Sequence, residues 1–108
     1  MLKTASFVRF REGVHPGAAA RRWGEEYAEV ILQLPGVVRY VQNLSQPGPA
    51  GERPAFDGYS EAWFEDRGAF DAALASEGWK NLVADGPNLF DRDATMSAFV
   101  EEQVLRSG

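Results

Sequence analysis

Several stretches of this chain that read as β-strands carry bulky apolar residues on both alternating sets of positions, so a sheet built from them has two faces to hide. In residues 37–44, Val38 and Tyr40 fall on one side and Val37 and Val41 on the other. A face washed by solvent has no use for such a second set. One cover has to come from within the chain and another from outside it.

The order of elements says what the inner cover is. Residues 2–11 alternate imperfectly around Phe7, Val8 and Phe10, and Glu12-Gly13 ends this first strand. Pro16 suits a first helical turn, and over residues 17–34 Ala19, Trp23, Tyr27, Val30, Ile31 and Leu34 fall three or four apart in one stripe. Pro35-Gly36 stops that helix, and residues 37–44 form strand two. Residues 45–57, SQPGPAGERPAFD, hold three prolines and two glycines without periodicity and read as a long loop, and residues 59–64 alternate as strand three. Asp66 can cap a second helix carrying Phe70, Ala73 and Leu74 and ending near Gly78; a further turn or two closes at Gly86-Pro87. A last strand spans residues 94–105, with Met96, Ala98, Val100 and Val104 opposite Thr95, Ser97, Phe99, Glu101 and Gln103.

This β-α-β-β-α-β order is the α+β, ferredoxin-like arrangement, in which two helices cover one face of a four-stranded antiparallel sheet. A second copy of the chain is the economical cover for the other face, because a twofold contact needs no other gene product. We therefore expect a homodimer through sheet faces, with an ordinary interface of about 800 Å² per partner.

At 108 residues the chain fits a single domain, 1–108. A formal net charge of -5 offers no basic stripe for nucleic acid or an anionic membrane. With no cysteine there is no disulfide, thiolate metal site or thiol nucleophile, and a cytoplasmic home is compatible. The start, MLKTASFVRF, interrupts its apolar residues with lysine and arginine and does not look like a signal peptide. Nine arginines against two lysines fit a GC-rich bacterial genome.

The segments LKTASFVRFREGVHP, RRW with the following LPGVVRYVQN, FDGYSEAWFED and the ending FVEEQVL, in this order and spacing, resemble the EthD-like family of dimeric α+β barrel proteins. The resemblance covers nearly the whole chain. It implies a dimeric barrel with a pocket between sheet and helices in each subunit, reached near helix one and strand two. Relatives in the wider superfamily include lactone isomerases and quinone-forming monooxygenases.

Two tyrosines are the candidate catalytic donors. Tyr27 lies on the apolar stripe of helix one, four residues after the tryptophan, where relatives carry a histidine; the phenol titrates near 10 rather than near neutrality. A core tyrosine with a hydrogen-bonded tip is the alternative reading. Tyr40 matches the family's strand-two tyrosine and could polarise a carbonyl or steady an enolate oxygen; the alternative is an aromatic at the dimer interface. Gln103 stands where relatives place another histidine, and His15, in the turn before helix one, reads as an exposed cap. Phe7, Arg9, Trp23, Ile31, Gln42, Trp63, Phe90 and Gln103 are the side chains expected to line the pocket. No metal-ligand spacing or glycine-rich phosphate loop is present, and no cofactor is expected.

The expected function is a pocket for a small oxygenated hydrophobic or aromatic molecule, with cofactor-free isomerase, cyclase or monooxygenase chemistry in a bacterial catabolic or polyketide-type pathway. A non-catalytic accessory or ligand-sequestering protein is the alternative, favoured by the two missing histidines. A haem-binding barrel is a third reading, for which a single turn histidine and no cysteine leave the axial ligand hard to name.

Overall fold

The computed structural model describes residues 1–108. Its strands are β1, Leu2–Val8; β2, Val37–Leu44; β3, Gly58–Phe64; and β4, Met96–Val100. Its helices are α1, Pro16–Arg22; α2, Ala28–Leu32; α3, Arg67–Ala75; and α4, Glu77–Leu89. The strands pair antiparallel in the order β2-β3-β1-β4, with every helix connection on one side, which is the ferredoxin-like α+β fold.

Local chemistry sets the helix boundaries. Pro16 opens α1 with its fixed φ, and the His15 Nδ1 accepts from the Ala18 N–H at 3.3 Å. Between α1 and α2 the helix widens into a π turn, Trp23–Tyr27, where the Ala28 N–H reaches the Trp23 carbonyl. The Gln42 Nε2 on β2 donates to that same carbonyl at 3.0 Å, tying the wide turn to the sheet. At the exit Gly36 takes φ 81°, and a Cβ there would lie 2.6 Å from the Ala69 Cβ, so glycine lets the turn rest on α3.

Helix two differs from expectation. Asp66 does cap α3, accepting from the Ala69 N–H at 2.8 Å, but the helix stops at Ala75. Ser76 donates to the Ala73 carbonyl at 2.6 Å and accepts from the Trp79 N–H at 3.3 Å, closing α3 and opening α4 with one hydroxyl. α4 is a full helix of 13 residues and runs through Gly86-Pro87 instead of ending there. Pro87 sits in its last turn, where it removes one N–H that would otherwise reach the Val83 carbonyl, and the Phe90 N–H closes the turn on the Gly86 carbonyl at 2.8 Å.

Two strand expectations are corrected as well. β4 ends at Val100, since β1 offers it partners only from Lys3 to Phe7, and Glu102 turns instead to the Lys3 ammonium at 2.9 Å. In β2 the register shifts between Val37 and Arg39, a bulge at Val38. Val37 and Tyr40 therefore both face the helices, while Arg39 and Val41 face away, and the simple alternation fails at that strand.

The outer face of the sheet carries Ala5, Phe7, Val41, Tyr59, Trp63, Met96, Ala98 and Val100 around Lys3, Arg39 and Glu61. Lys3 is nearly buried there, paired with Glu61 at 2.6 Å and lying 4.6 Å over the Trp63 ring. The hydrogen bond that Lys3 donates to Glu61 leads the effects that raise its pKa, keeping the ammonium charged. The inner face buries two separate clusters, one around Phe10, Trp23, Tyr27 and Leu89, the other around Leu34, Phe64 and Ala73. No helix is long and apolar enough to cross a membrane.

Arg9 explains the ordered path of the long loop. Its guanidinium donates to the Pro54 and Ala55 carbonyls at 2.9 and 2.5 Å and pairs with Asp57 at 3.3 Å, while the Asp57 Oδ2 accepts from the Phe10 N–H at 2.7 Å. Arg9→Met should cost about 1.5–3 kcal/mol through these charged hydrogen bonds. In hydrogen exchange it should strip protection from residues 45–57 while leaving β3 protected; unchanged loop protection would contradict the clamp.

Candidate functional site

A cleft of about 420 Å³ separates the two inner clusters. It exists because the middle of the sheet's inner face carries small side chains: Thr4 and Ser6 on β1, Ser60 and Ala62 on β3, and Ser97 on β4. Large residues on α2 and α4 meet the sheet at its margins and cannot sink onto that floor, so space persists where a core would otherwise close. The roof is apolar, made by Trp23, Tyr27, Ile31, Trp79, Leu82 and Phe90, and the volume lies in the usual range for small-molecule sites.

The tyrosines play different parts. The Tyr27 hydroxyl donates to the Asp85 Oδ2 at 2.5 Å, and the Arg22 Nη2 donates to the same oxygen at 2.5 Å. Burial, then this bond, pushes the phenol well above its ordinary value of 10. Tyr27 is thus a neutral donor already committed to a partner, with its ring edge-on to Phe90 at 5.4 Å. The Tyr40 hydroxyl instead accepts from the Gln42 Nε2 at 3.0 Å. Burial raises its pKa, against weaker opposition from hydrogen bonds with Gln42 and Ser60, so it keeps a proton. Because Gln42 uses a lone pair, the phenol keeps a proton that it can give to the Ser60 hydroxyl or to a guest that displaces it.

Asp85 gives this site its pH signature. The Tyr27 hydrogen bond leads the effects that hold its carboxyl below the ordinary 3.8. A depressed folded pKa means that its stabilisation is present above about pH 4 and is lost as pH falls through the lower folded value. Asp85→Asn should accordingly lower the urea midpoint at pH 7, with the gap to the parent narrowing steadily from pH 4 towards pH 2. A gap that stays constant over that window would contradict the assignment. On the alkaline side the raised Tyr27 pKa predicts stability that is complete below pH 10 and declines above it.

Of the residues expected at the pocket, Tyr27, Tyr40, Trp23, Ile31 and Phe90 line this cleft, and Gln42 stands behind it, holding Tyr40 and the π turn. Four others lie elsewhere. Phe7 has the opposite parity to Thr4, Ser6 and Val8 and packs on the outer face, 4.8 Å from both Phe56 and Tyr59. Arg9 clamps the loop. Trp63 also faces outward, with the Arg39 guanidinium 4.8 Å above its ring. Gln103 is exposed beyond the end of β4. Sequence reasoning passed over Asp85 and Leu82, both on the helix taken for a turn or two; Trp79 of the same helix also lines the cleft. That reasoning also missed the floor hydroxyls, whose signal is their shared parity: Thr4 and Ser6 on β1, Thr95 and Ser97 leading into β4. No three histidine, aspartate or glutamate side chains converge as a metal site, and His15 caps α1 outside the cleft.

The fold and cleft define a ferredoxin-like domain with an apolar chamber over a hydroxylated sheet. The chain belongs to the EthD family, whose EthD domain matches residues 11–93. An EthD family protein from Bacillus halodurans superposes with a TM-score of 0.74 at 16% identity, covering 95% of this chain and 100% of its own. A structure described as an antibiotic biosynthesis monooxygenase gives 0.66 at 20% identity, covering 95% and 99%. A dimeric ferredoxin-like protein from Thermobifida fusca gives 0.70 at 15%, covering 92% and 88%. At these identities the likeness is one of fold. No curated protein matches the chain.

Proposed function

We propose that the protein binds a small, oxygenated, apolar or aromatic molecule in the cleft, with Tyr40 as the donor that fixes it, and works as a homodimer paired through the outer sheet face. The observation that carries this reading is the half-buried Tyr40 hydroxyl in the cleft wall, which accepts from Gln42 and so keeps its own proton to donate. A carbonyl or enolate oxygen placed there gains a donor in a site of low polarity, the help that isomerisation, cyclisation or cofactor-free oxygenation needs. The likeness to a structure described as a monooxygenase supports the same class of guest.

Dimerisation is supported by the exposed apolar side chains on the outer face, Met96 and Val100 among them, and by the dimeric ferredoxin-like neighbour. A cytoplasmic location belongs to the same proposal and rests on a chain without cysteine.

A second reading, a non-catalytic ligand-sequestering protein, is favoured by one feature: the cleft lining holds no carboxylate and no imidazole, hence no base that titrates near neutrality. The haem reading lacks an imidazole in the cleft, since His15 lies at the α1 cap.

Thermal shift against a panel of hydroxylated naphthoquinones and lactones, followed by product analysis, separates enzyme from binder. Tyr40→Phe should weaken a hit about five- to tenfold, the worth of one hydrogen bond, with unfolding stability within about 1 kcal/mol of the parent. Undiminished affinity and turnover would remove Tyr40 from the site.

A further inference from the structure

Arg92 is the one lining residue of the cleft with a full charge at neutral pH. It takes part in none of the chain's ion pairs, and no hydrogen bond from its guanidinium is satisfied within the protein. By contrast, Arg22, which packs against the cleft's Tyr27, is paired with Asp85. Its neighbour Asp91 is occupied in holding the turn, since the Asp91 Oδ1 accepts from the Asp93 N–H at 3.1 Å.

The turn that carries Arg92 is fixed to the cleft floor. The Thr95 hydroxyl donates to the Asp91 carbonyl at 2.8 Å, and the Thr95 N–H donates to the Arg92 carbonyl at 3.3 Å, so the arginine is joined to the residue that opens β4. Next along the strand, the Ser97 and Ser6 hydroxyls lie 2.8 Å apart on the floor. A guest on that floor meets neutral hydroxyls beneath it, aromatic rings above it and one unpaired, planar, permanently charged donor at the β4 side.

We propose, resting on the ligand-binding reading above, that the cleft selects guests bearing a single carboxylate, with Arg92 as the specificity-determining residue that receives it. A carboxylate matches the guanidinium's fork with two parallel hydrogen bonds, whereas a second anionic group would find only hydroxyls and apolar rings.

The test uses the fluorescent pair 3-hydroxy-2-naphthoic acid and 3-hydroxy-2-naphthamide, nearly identical in shape and different in charge, titrated into the full chain and into Arg92→Gln. At low salt the acid should bind the parent about tenfold more tightly than the amide, and 0.5 M NaCl should narrow the ratio, because the arginine is partly solvated. In Arg92→Gln the ratio should fall to near one, with the amide's affinity unchanged within about twofold. Equal binding by the parent, or a ratio that survives the substitution, overturns the charge selection and leaves the pocket standing. Binding of neither compound, with no displacement of the hydrophobic dye 8-anilinonaphthalene-1-sulfonate, overturns both the selection and the pocket. Circular dichroism of Arg92→Gln should match the parent, as the side chain is exposed.

Discussion

Trp23→Ala is expected to lower unfolding stability by about 3–5 kcal/mol, the usual cost of emptying a buried tryptophan site. The ring is 2% exposed and meets Phe10 edge-on at 6.2 Å. It also rests on Gly58 of β3, where a Cβ would stand 2.6 Å from two ring atoms. A glycine beneath and a π turn above shape that slot for a large flat ring, so neighbours have little freedom to collapse into the space. Domains of this size are stable by only about 5–15 kcal/mol, so the variant should be marginal near 37 °C. Urea unfolding followed by circular dichroism measures the loss directly; a loss below about 1 kcal/mol would mean that the ring is not the keystone of the inner cluster. Because Trp23 also roofs the cleft, Trp23→Phe should retain most of the stability while weakening any guest.

The second large effect concerns assembly. Val41 faces outward on the edge strand β2, opposite Glu61 and next to the strand that carries Trp63, within the surface that we propose a second copy covers. In a twofold contact Val41→Asp enters twice, each time placing a carboxylate in an apolar patch that already holds Glu61. The dimer should weaken by at least about a hundredfold, roughly 3 kcal/mol, with the monomer fold intact, since Val41 belongs to neither inner cluster. Sedimentation equilibrium of parent and variant at matched concentrations reads this out. A parent that sediments as a monomer, or a variant that dimerises as tightly, would contradict the assembly.

What the sequence made legible follows the range of each signal. β2 and β3 were readable nearly to the residue, because β-branched and aromatic runs bounded by Pro35-Gly36 and Asp66 depend on local chemistry alone. The bulge at Val38 was not, since it is defined by what stands opposite, Phe64 and Trp63, on another strand. The π turn was hidden for a similar reason: three-and-four spacing from Ala19 to Leu34 looks the same whether or not one turn is wide, and the Gln42 donor lies on β2. α4 was shortened by reading Gly86-Pro87 as a terminator, a rule that does not distinguish a proline after a helix from one in its last turn. At the site, Tyr40 came from the family resemblance and Trp23 from the helical stripe, and both line the cleft, whereas Phe7 stands on the outer face, as its parity against Thr4 and Ser6 implies. The division between Tyr27, which donates to Asp85, and Tyr40, which accepts from Gln42, rests on side-chain geometry and needed the fold.

The central claim, that the chamber beneath Trp23 and over Tyr40 holds a small oxygenated guest, is tested most directly by a crystal structure of protein purified from its own host without added ligand. Density is expected for one flat molecule between the roof rings and the sheet floor, with an oxygen within hydrogen-bonding distance of the Tyr40 hydroxyl. Side chains of α4 folded down onto Thr4, Ser6 and Ser60, leaving no room above the sheet, would contradict it.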